Sequence, residues 1–424
     1  MKTTVKTLCG MLAMLAFTAC SGDSGETEIA PRIWHVTLTA SMDDTDSRAL
    51  SEGEDNAIIA TFAENDEVVV VDADGMTVVG TLKAQTAGAS TTLTGNLDAS
   101  TLTADEVVTL RYRSATANYD GQVGTLAGIA AGQDYAEGTL TVKTTSPLEF
   151  TTGSVSLAAK QSITKFSFTC GGSPVSVKTF GIAARGLVRS IAKSGVDTVG
   201  AVTGTLTTPS ADVCVALRNN SGAKQTHSFT VKDDAGNWYT GTKNAKLANG
   251  SNYAATVALT KLETLTGSSA VGTVGVIGGL PAIVVEINSV KKAVALMNAG
   301  ALCPEAYGTY CTYADQATGL SDGWYVPVKD ELDALAAISS TWGNPNGVKG
   351  RTFTIGSNAL FLPAAGYYEK GNSLSAVSAD GYYWSSTNYD EDKAYTLNFD
   401  SGVCQTIGWY KVDRLTVRPF HALN

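Results

Sequence analysis

Few residues in this chain are typed and spaced for bond-making chemistry. Its 424 residues include three scattered histidines, His35, His227 and His421. No Ser/His/Asp or Cys/His set accompanies them, so the chain reads as a non-enzyme. Seven cysteines are present. Cys9 and Cys20 fall in the first twenty residues; Cys170, Cys214, Cys303, Cys311 and Cys404 follow. None has C-x-x-C spacing, which argues against zinc. In an exported chain the later five can form disulfides, but an odd number leaves at least one thiol free or paired between chains. Cys170 and Cys214 either bridge two strands or stay as buried thiols. Cys303 and Cys311 can close a small loop, or Cys404 can pair with one of them. No metal or other cofactor is expected. The remaining chemistry is contact chemistry. Four of the six tryptophans lie beyond residue 320, and aromatic side chains are good contact surfaces as well as core fillers.

These residues need a scaffold, and the scaffold reads as β. Thr, Ser, Gly, Ala and Val are plentiful, and long helical patterns are few. Residues 34–40 alternate apolar and polar, as a half-buried strand does. Val68 to Val71 is a buried-strand run, and Asp72-Ala73-Asp74-Gly75 is a hairpin turn after it. Further strands are expected at 91–97, 106–113 and 140–144. A second set opens at 154–158 and 163–170 and runs through 175–183, 204–208, 213–217, 228–232, 237–240 and 253–259, with a hairpin turn at Asp233-Asp234-Ala235-Gly236. A small, polar stretch then reads as a linker. After it, 274–287 is strand-like. Ser289 is read as the N-cap of a short helix over 290–298. Pro327 precedes a second helix carrying Leu332, Leu335 and Ile338. Short strands and aromatic loops complete the chain.

The charge balance limits partners. The formal net charge is −10; beyond residue 20 there are 28 basic against 40 acidic side chains. Nucleic acid and anionic lipid surfaces both demand basic patches, so neither is expected as a partner. Lys2 and Lys6 precede an apolar run of about ten residues, too short to span a bilayer. Phe17-Thr18-Ala19-Cys20 resembles a bacterial lipobox, with Phe17 where Leu is usual. The resemblance implies lipidation of Cys20, and the polar tether Ser21-Gly22-Asp23-Ser24-Gly25-Glu26 suits it. Several acyl chains, at about 0.8 kcal/mol per buried methylene, hold a protein stably on a membrane.

The order of parts resembles the fimbrillin family, the lipoprotein pilins of Bacteroidetes. Those parts are the lipobox, the tether, one alternating strand, an Arg-Ala in a polar loop, and Glu64-Asn65-Asp66-Glu67 leading into the valine strand. The resemblance covers roughly residues 20–262. It implies that an Arg-specific protease cuts Arg48-Ala49 and removes the strand over 34–40. It also implies that other pilin subunits are partners through a donor strand. Losing a strand exposes unpaired N–H and C=O groups beside an apolar groove, and a strand of another subunit can fill it.

The last module carries Gly323-Trp324-Tyr325-Val326-Pro327, Tyr382-Tyr383-Trp384-Ser385-Ser386-Thr387 and Val417-Arg418-Pro419-Phe420. These look like the C-type-lectin-like fold, with bacterial relatives such as the Fibrobacter major paralogous domain. In that fold Trp324 and Trp384 are framework, and Arg418 pairs with a buried polar group. The lectin calcium-and-sugar motifs are missing; Asn344-Pro345-Asn346 is a partial echo. Contact candidates are Tyr367, Tyr368, Tyr382, Tyr389, Trp409 and Tyr410. Asn388-Tyr389-Asp390-Glu391-Asp392 can hold calcium or be a plain solvated turn.

The expected architecture is therefore mainly β. A lipoprotein signal peptide spans 1–20. Fimbrillin-like β-sandwich domains span 21–152 and 153–262. A linker over 263–273 leads to an α+β C-type-lectin-like domain over 274–424. The expected role is a pilus tip adhesin on the cell outer membrane, contacting glycan or a host or bacterial surface protein and anchored by lipid before maturation. The alternative is a surface lipoprotein that never polymerises.

Overall fold

A computed structural model describes residues 32–42, 51–52, 58–59 and 61–423. Strands dominate it. The first sheet contains β1 (Ile33–Met42), β2 (Glu67–Val71), β3 (Val78–Ala84), β4 (Ser90–Asp98), β5 (Val107–Tyr112), β6 (Ala136–Thr145), β7 (Leu148–Phe150) and β8 (Ser154–Ala159). Its order is β7-β6-β8-β1-β4-β3-β2-β5, and β6 also pairs with β5, so the strands close into a ring. β1 alternates as its sequence implies. Val36, Leu38, Ala40 and Met42 are buried in the core, while Thr37 and Thr39 face out.

The second sheet contains β9 (Ser162–Cys170), β10 (Val177–Ala183), β11 (Leu187–Ile191), β12 (Val202–Ser210), β13 (Asp212–Asn219), β14 (Gln225–Asp233), β15 (Trp238–Ala245) and β16 (Asn252–Lys261). Its path is β11-β13-β9-β16-β15-β14-β10-β12. The two sheets repeat one device. β1 lies antiparallel to β4 and parallel to β8, the last strand of its sheet. β9 lies antiparallel to β13 and parallel to β16, the last of its own.

Two local assignments differ from the sequence reading. The strand over 154–158 belongs to the first sheet as β8, because Val155 and Leu157 bury into the first core. The chain between β5 and β6 leaves the first sheet altogether. It carries α1 (Leu126–Gly132), and Tyr119, Ile129 and Tyr135 fill the second core. The buried Gln122 amide donates to the Ala216 carbonyl and accepts from the Ala216 N–H, which ties this excursion to β13. Asp120 pairs with Arg189 and accepts from Thr203. The excursion thus staples the two sheets together.

The C-terminal part is built on β17 (Val274–Ile277), β18 (Leu280–Ile287), β19 (Val290–Ala295), β20 (Trp324–Tyr325), α2 (Lys329–Ala336), β21 (Gly350–Ile355), β22 (Asn358–Pro363), β23 (Gly381–Asn388), β24 (Lys393–Phe399), β25 (Cys404–Tyr410) and β26 (Phe420–Ala422). The expected helix over 290–298 is not formed; β19 stands there as a strand. Asn288 and Ser289 both have positive φ, 51° and 62°, the signature of a type I′ hairpin turn. Ser289 is therefore a turn residue and not an N-cap. The second helix is present, with Leu332 and Leu335 fully buried and Ile338 packed against the same core. The stretch 263–273 is docked, not free: Leu265 is buried, its N–H donates to Val276, and Val276 donates to Glu263. The last strand is not over 414–419. It is β26, held between β19 and β20.

Trp324 and Trp384 are buried framework, with indole N–H groups donating to the carbonyls of Gly278 at 3.0 Å and Cys311 at 2.8 Å. Arg418 is buried and donates to the carbonyls of Ala295 and Phe361 at 2.9 and 3.1 Å. Cys170, Cys303, Cys311 and Cys404 are free thiols. Cys214 sits opposite Lys165 on β9, five residues from Cys170, or about 17 Å of strand at about 3.3 Å per residue. That exceeds the Cα separation a disulfide spans. Cys303 packs with Ala183 and Ala201, whereas Cys311 packs in the cluster around Trp384, so neither expected bridge forms. Among the described residues, no helix is long and apolar enough to cross a membrane.

Candidate assembly strand and head surface

Two regions carry the contact chemistry. The first is β1. It pairs residue for residue with β4 from Ile33 to Ser41, and with β8 from Thr39 to Met42. His35 on its outer face bonds Asn96 at 3.1 Å and Thr94 at 2.9 Å, both on β4. Burying Val36, Leu38 and Met42 contributes about 5–9 kcal/mol, at about 1.5–3 kcal/mol per side chain. Removing β1 would open an apolar trough between two strand edges. The lipidation candidate Cys20 and the cleavage candidates Arg48 and Ala49 lie outside the described residues.

The second region is the three-stranded sheet β23-β24-β25. Alternate residues of a strand face opposite sides, and the candidates divide accordingly. Trp409 lies opposite Ala394 and Tyr382 opposite Asn398. Tyr367, Tyr382 and Trp409 form one knot, with ring centroids 5.0, 4.9 and 4.5 Å apart. Tyr368 turns away from it, packing edge-on against Tyr310 at 4.9 Å with the Arg414 guanidinium over its ring. Tyr410 lies opposite Lys393, and Tyr395 opposite Gly408, so these project from the other face. There Tyr389 meets Tyr395 at 5.0 Å and stands directly over Gly408, where an added Cβ would fall 2.8 Å from its ring. Tyr389 and Tyr410 are each 53% exposed. Of the tyrosines and Trp409 named from sequence, Tyr367, Tyr382 and Trp409 thus share one face, with Tyr382 buried there, Tyr389 and Tyr410 lie on the other, and Tyr368 belongs to neither.

The knot lies among carboxylates. Burial and then Asp380 push the Tyr382 hydroxyl up to about 12. Burial, Glu369 and Asp413 raise Tyr367. Burial and the nearby Asp400 raise the Asp380 carboxyl above the ordinary range. Both rings therefore stay neutral hydroxyls able to donate. Sequence reading did not single out Glu369, Asp380 or Asp413. They come from separate loops, and no spacing pattern joins them.

The acidic turn is folded on itself. Asp390 accepts from the N–H groups of Asp392 and Lys393, and the Lys411 ammonium donates to the carbonyls of Asp390 and Glu391, each at 2.8 Å. A cation already sits where calcium would need those oxygens. Among the described residues, no cluster of three or more His, Cys, Asp or Glu is placed to hold a metal.

Comparison with known proteins gives a partial match. The family described as "Domain of unknown function (DUF8237)" matches residues 355–420, which lies within the head and contains its aromatic sheet. No curated protein matches the chain. Among solved structures, a candidate cell adhesion protein from Bacteroides ovatus ATCC 8483 is 15% identical. It covers 54% of this chain and 95% of its own, with a TM-score of 0.29. A fimbrial assembly protein from Parabacteroides distasonis ATCC 8503 is 13% identical and covers 53% of this chain and 90% of its own, with a TM-score of 0.27. A shaft pilin from Lactobacillus rhamnosus GG is 14% identical and covers 54% and 98%, with a TM-score of 0.22. At these TM-scores the likenesses carry no argument, and the functional reading below is built on this chain's own geometry.

Proposed function

We propose that this chain is a surface adhesin subunit of a pilus, placed at the tip. In this reading it is exported as a lipoprotein on Cys20 and held at the cell outer membrane. Cleavage at Arg48-Ala49 releases β1, and the strand of another pilin subunit takes its place. The sandwich domains form the carrier, and the C-type-lectin-like head meets a glycan or a host or bacterial surface protein. One observation carries the strand-exchange reading: among the described residues, two strands are held in different ways. β1 is an internal strand that pairs on both flanks, so its loss leaves a strand-shaped vacancy. β26 is pinned between β19 and β20 inside the C-terminal sheet. Freeing it as a donor would break that sheet and expose the buried Phe420. Of the two, the first strand suits exchange and the second does not, and the labelling below tests the tip position.

The test uses the full chain. The Arg48→Ala variant should stay uncleaved, remain on the envelope and be absent from fibres. Immunogold label on wild-type cells should sit at fibre ends. Label confined to the envelope would favour the non-polymerising lipoprotein, and wild-type-like assembly of Arg48→Ala would remove the cleavage step.

A further inference from the structure

A cleft of about 420 Å³ opens between the second sheet and the C-terminal part. Alternate residues of a strand face opposite sides. Phe229 and Val231 of β14 point into the second core, so Ser228 and Thr230 face the cleft. Strand pairing carries that face across the sheet. Thr230 lies opposite Thr240 of β15, Thr240 opposite Thr260 of β16, and Ser228 opposite Thr242. Five hydroxyls thus form the floor of the cleft. Among the described residues, none of these five side chains is hydrogen-bonded within the chain.

The wall comes from the C-terminal part. Cys303 seats on Gly181 of β10, the residue opposite Thr230. Two residues on, Glu305 lines the cleft and is 8% exposed. The Asn346 amide donates to one of its carboxylate oxygens at 2.7 Å, and among the described residues no side chain bonds the other. No described residue forms an ion pair with it. Arg418 acts on it through its field alone, with the guanidinium held by the carbonyls of Ala295 and Phe361. The turn that supplies Asn346 also abuts the second sheet, where a Cβ on Gly347 would fall 2.7 Å from the Ala184 carbonyl. Two separate contacts therefore hold wall and floor together.

Every polar side chain of floor and wall can accept a hydrogen bond, and Glu305 is the one charged group in the lining. A buried carboxylate without a counter-charge is costly. Burial raises the Glu305 carboxyl above its ordinary 4.5, and a cation beside it offsets that effect. A primary ammonium is a compact cation with three donors. The floor narrows the choice further. Hydroxyls both donate and accept, so they match a hydroxylated body and not an apolar one. The volume is that of a small-molecule site. We propose that this cleft binds a small hydroxylated amine of the amino-sugar class, with its ammonium on Glu305 and its hydroxyls on Thr230, Thr240 and Thr242. The site is separate from the aromatic sheet and does not depend on strand exchange.

The experiment titrates the full chain with glucosamine at pH 7 and follows binding by calorimetry. Two comparison ligands separate the halves of the site. N-acetylglucosamine keeps the hydroxyls and loses the charge; cyclohexylamine keeps the charge and loses the hydroxyls. Glucosamine should bind, and each comparison ligand should bind at least about tenfold more weakly. Glu305→Gln keeps an acceptor for Asn346 and removes the charge. The Thr240→Val, Thr242→Val double variant keeps β-branched side chains on β15 and removes two hydroxyls. Each should weaken glucosamine binding at least about tenfold with the circular dichroism of the wild type. N-acetylglucosamine binding as tightly as glucosamine would make the cleft a neutral-sugar site and overturn the proposal. Equal binding of cyclohexylamine would remove the hydroxyl floor from recognition and overturn it as well. Glucosamine binding that neither variant changes would lie elsewhere on the molecule, and that result, or no binding at millimolar concentration, would sink the proposal.

Discussion

At the residue scale, His227 and Glu305 are buried groups with no part in the head surface. His227 lies on β14 and is 1% exposed. Burial holds its imidazole below the ordinary value of 6.5. The folded state therefore resists a proton that the unfolded chain accepts. Stability from this group is present above pH 6.5 and is lost as pH falls through the folded value. Urea midpoints between pH 7.5 and 5 should drop in the wild type and change less in His227→Leu; equal drops would remove His227 as the cause. Glu305 behaves in the opposite sense. Burial raises its carboxyl above the ordinary 4.5, with the Asn346 hydrogen bond opposing in part. Its contribution is present below that value and is lost as pH rises through the folded value. Glu305→Gln keeps an acceptor for the Asn346 amide, which donates to Glu305 at 2.7 Å. The variant should gain stability at pH 8 relative to wild type and show no gain at pH 4.

At the element scale, local sequence settled most strands but not every connection. α2 is held by Glu331, which accepts from the Val328 N–H at 3.0 Å and the Tyr325 hydroxyl at 2.7 Å, and pairs with Lys292 at 3.3 Å. Glu331→Ala removes a helix cap and leaves two partners unmatched, at a cost of about 1–3 kcal/mol. Denaturant titration of the variant checks this; a shift below ~0.5 kcal/mol would mean that the cap is redundant with packing. Residues 290–295 show how an element is misread. The run over 290–298 reads as a short amphipathic helix, but Asn288-Ser289 at positive φ returns the chain against β18. The turn chemistry overrode the periodicity.

At the scale of the whole molecule, the C-terminal part from residue 274 on packs against the second sheet. The Trp238 indole donates to the Gly279 carbonyl at 2.9 Å. Cys303 lies against Gly181 of β10 so closely that a Cβ on the glycine would fall 2.4 Å from the cysteine Cβ. Gly181→Leu should therefore separate the C-terminal part from the second sheet while leaving each core folded. Small-angle scattering should show a larger radius of gyration, and proteolysis should cut within 263–273; an unchanged profile would mean that the other contacts hold the head by themselves.

By itself, the sequence determined the β class, the alternation of β1, the hairpin turns at Asp72–Gly75 and Asp233–Gly236, and α2. These follow from period and turn residues, both short-range properties of the chain; the framework roles of Trp324, Trp384 and Arg418 were implied by the resemblance of their motifs, and all three are buried. Only the tertiary structure decided the rest. It placed β8 beside β1 in parallel, a pairing across more than a hundred residues that no local pattern encodes. It sent the β5–β6 connection into the second core, where Tyr119, Ile129 and Tyr135 are buried among apolar neighbours. It divided Tyr367, Tyr382 and Trp409 from Tyr389 and Tyr410, because strand alternation sets a face only after register is fixed. It also left the first half of β1 paired on one side, since β7 follows β6 away from it.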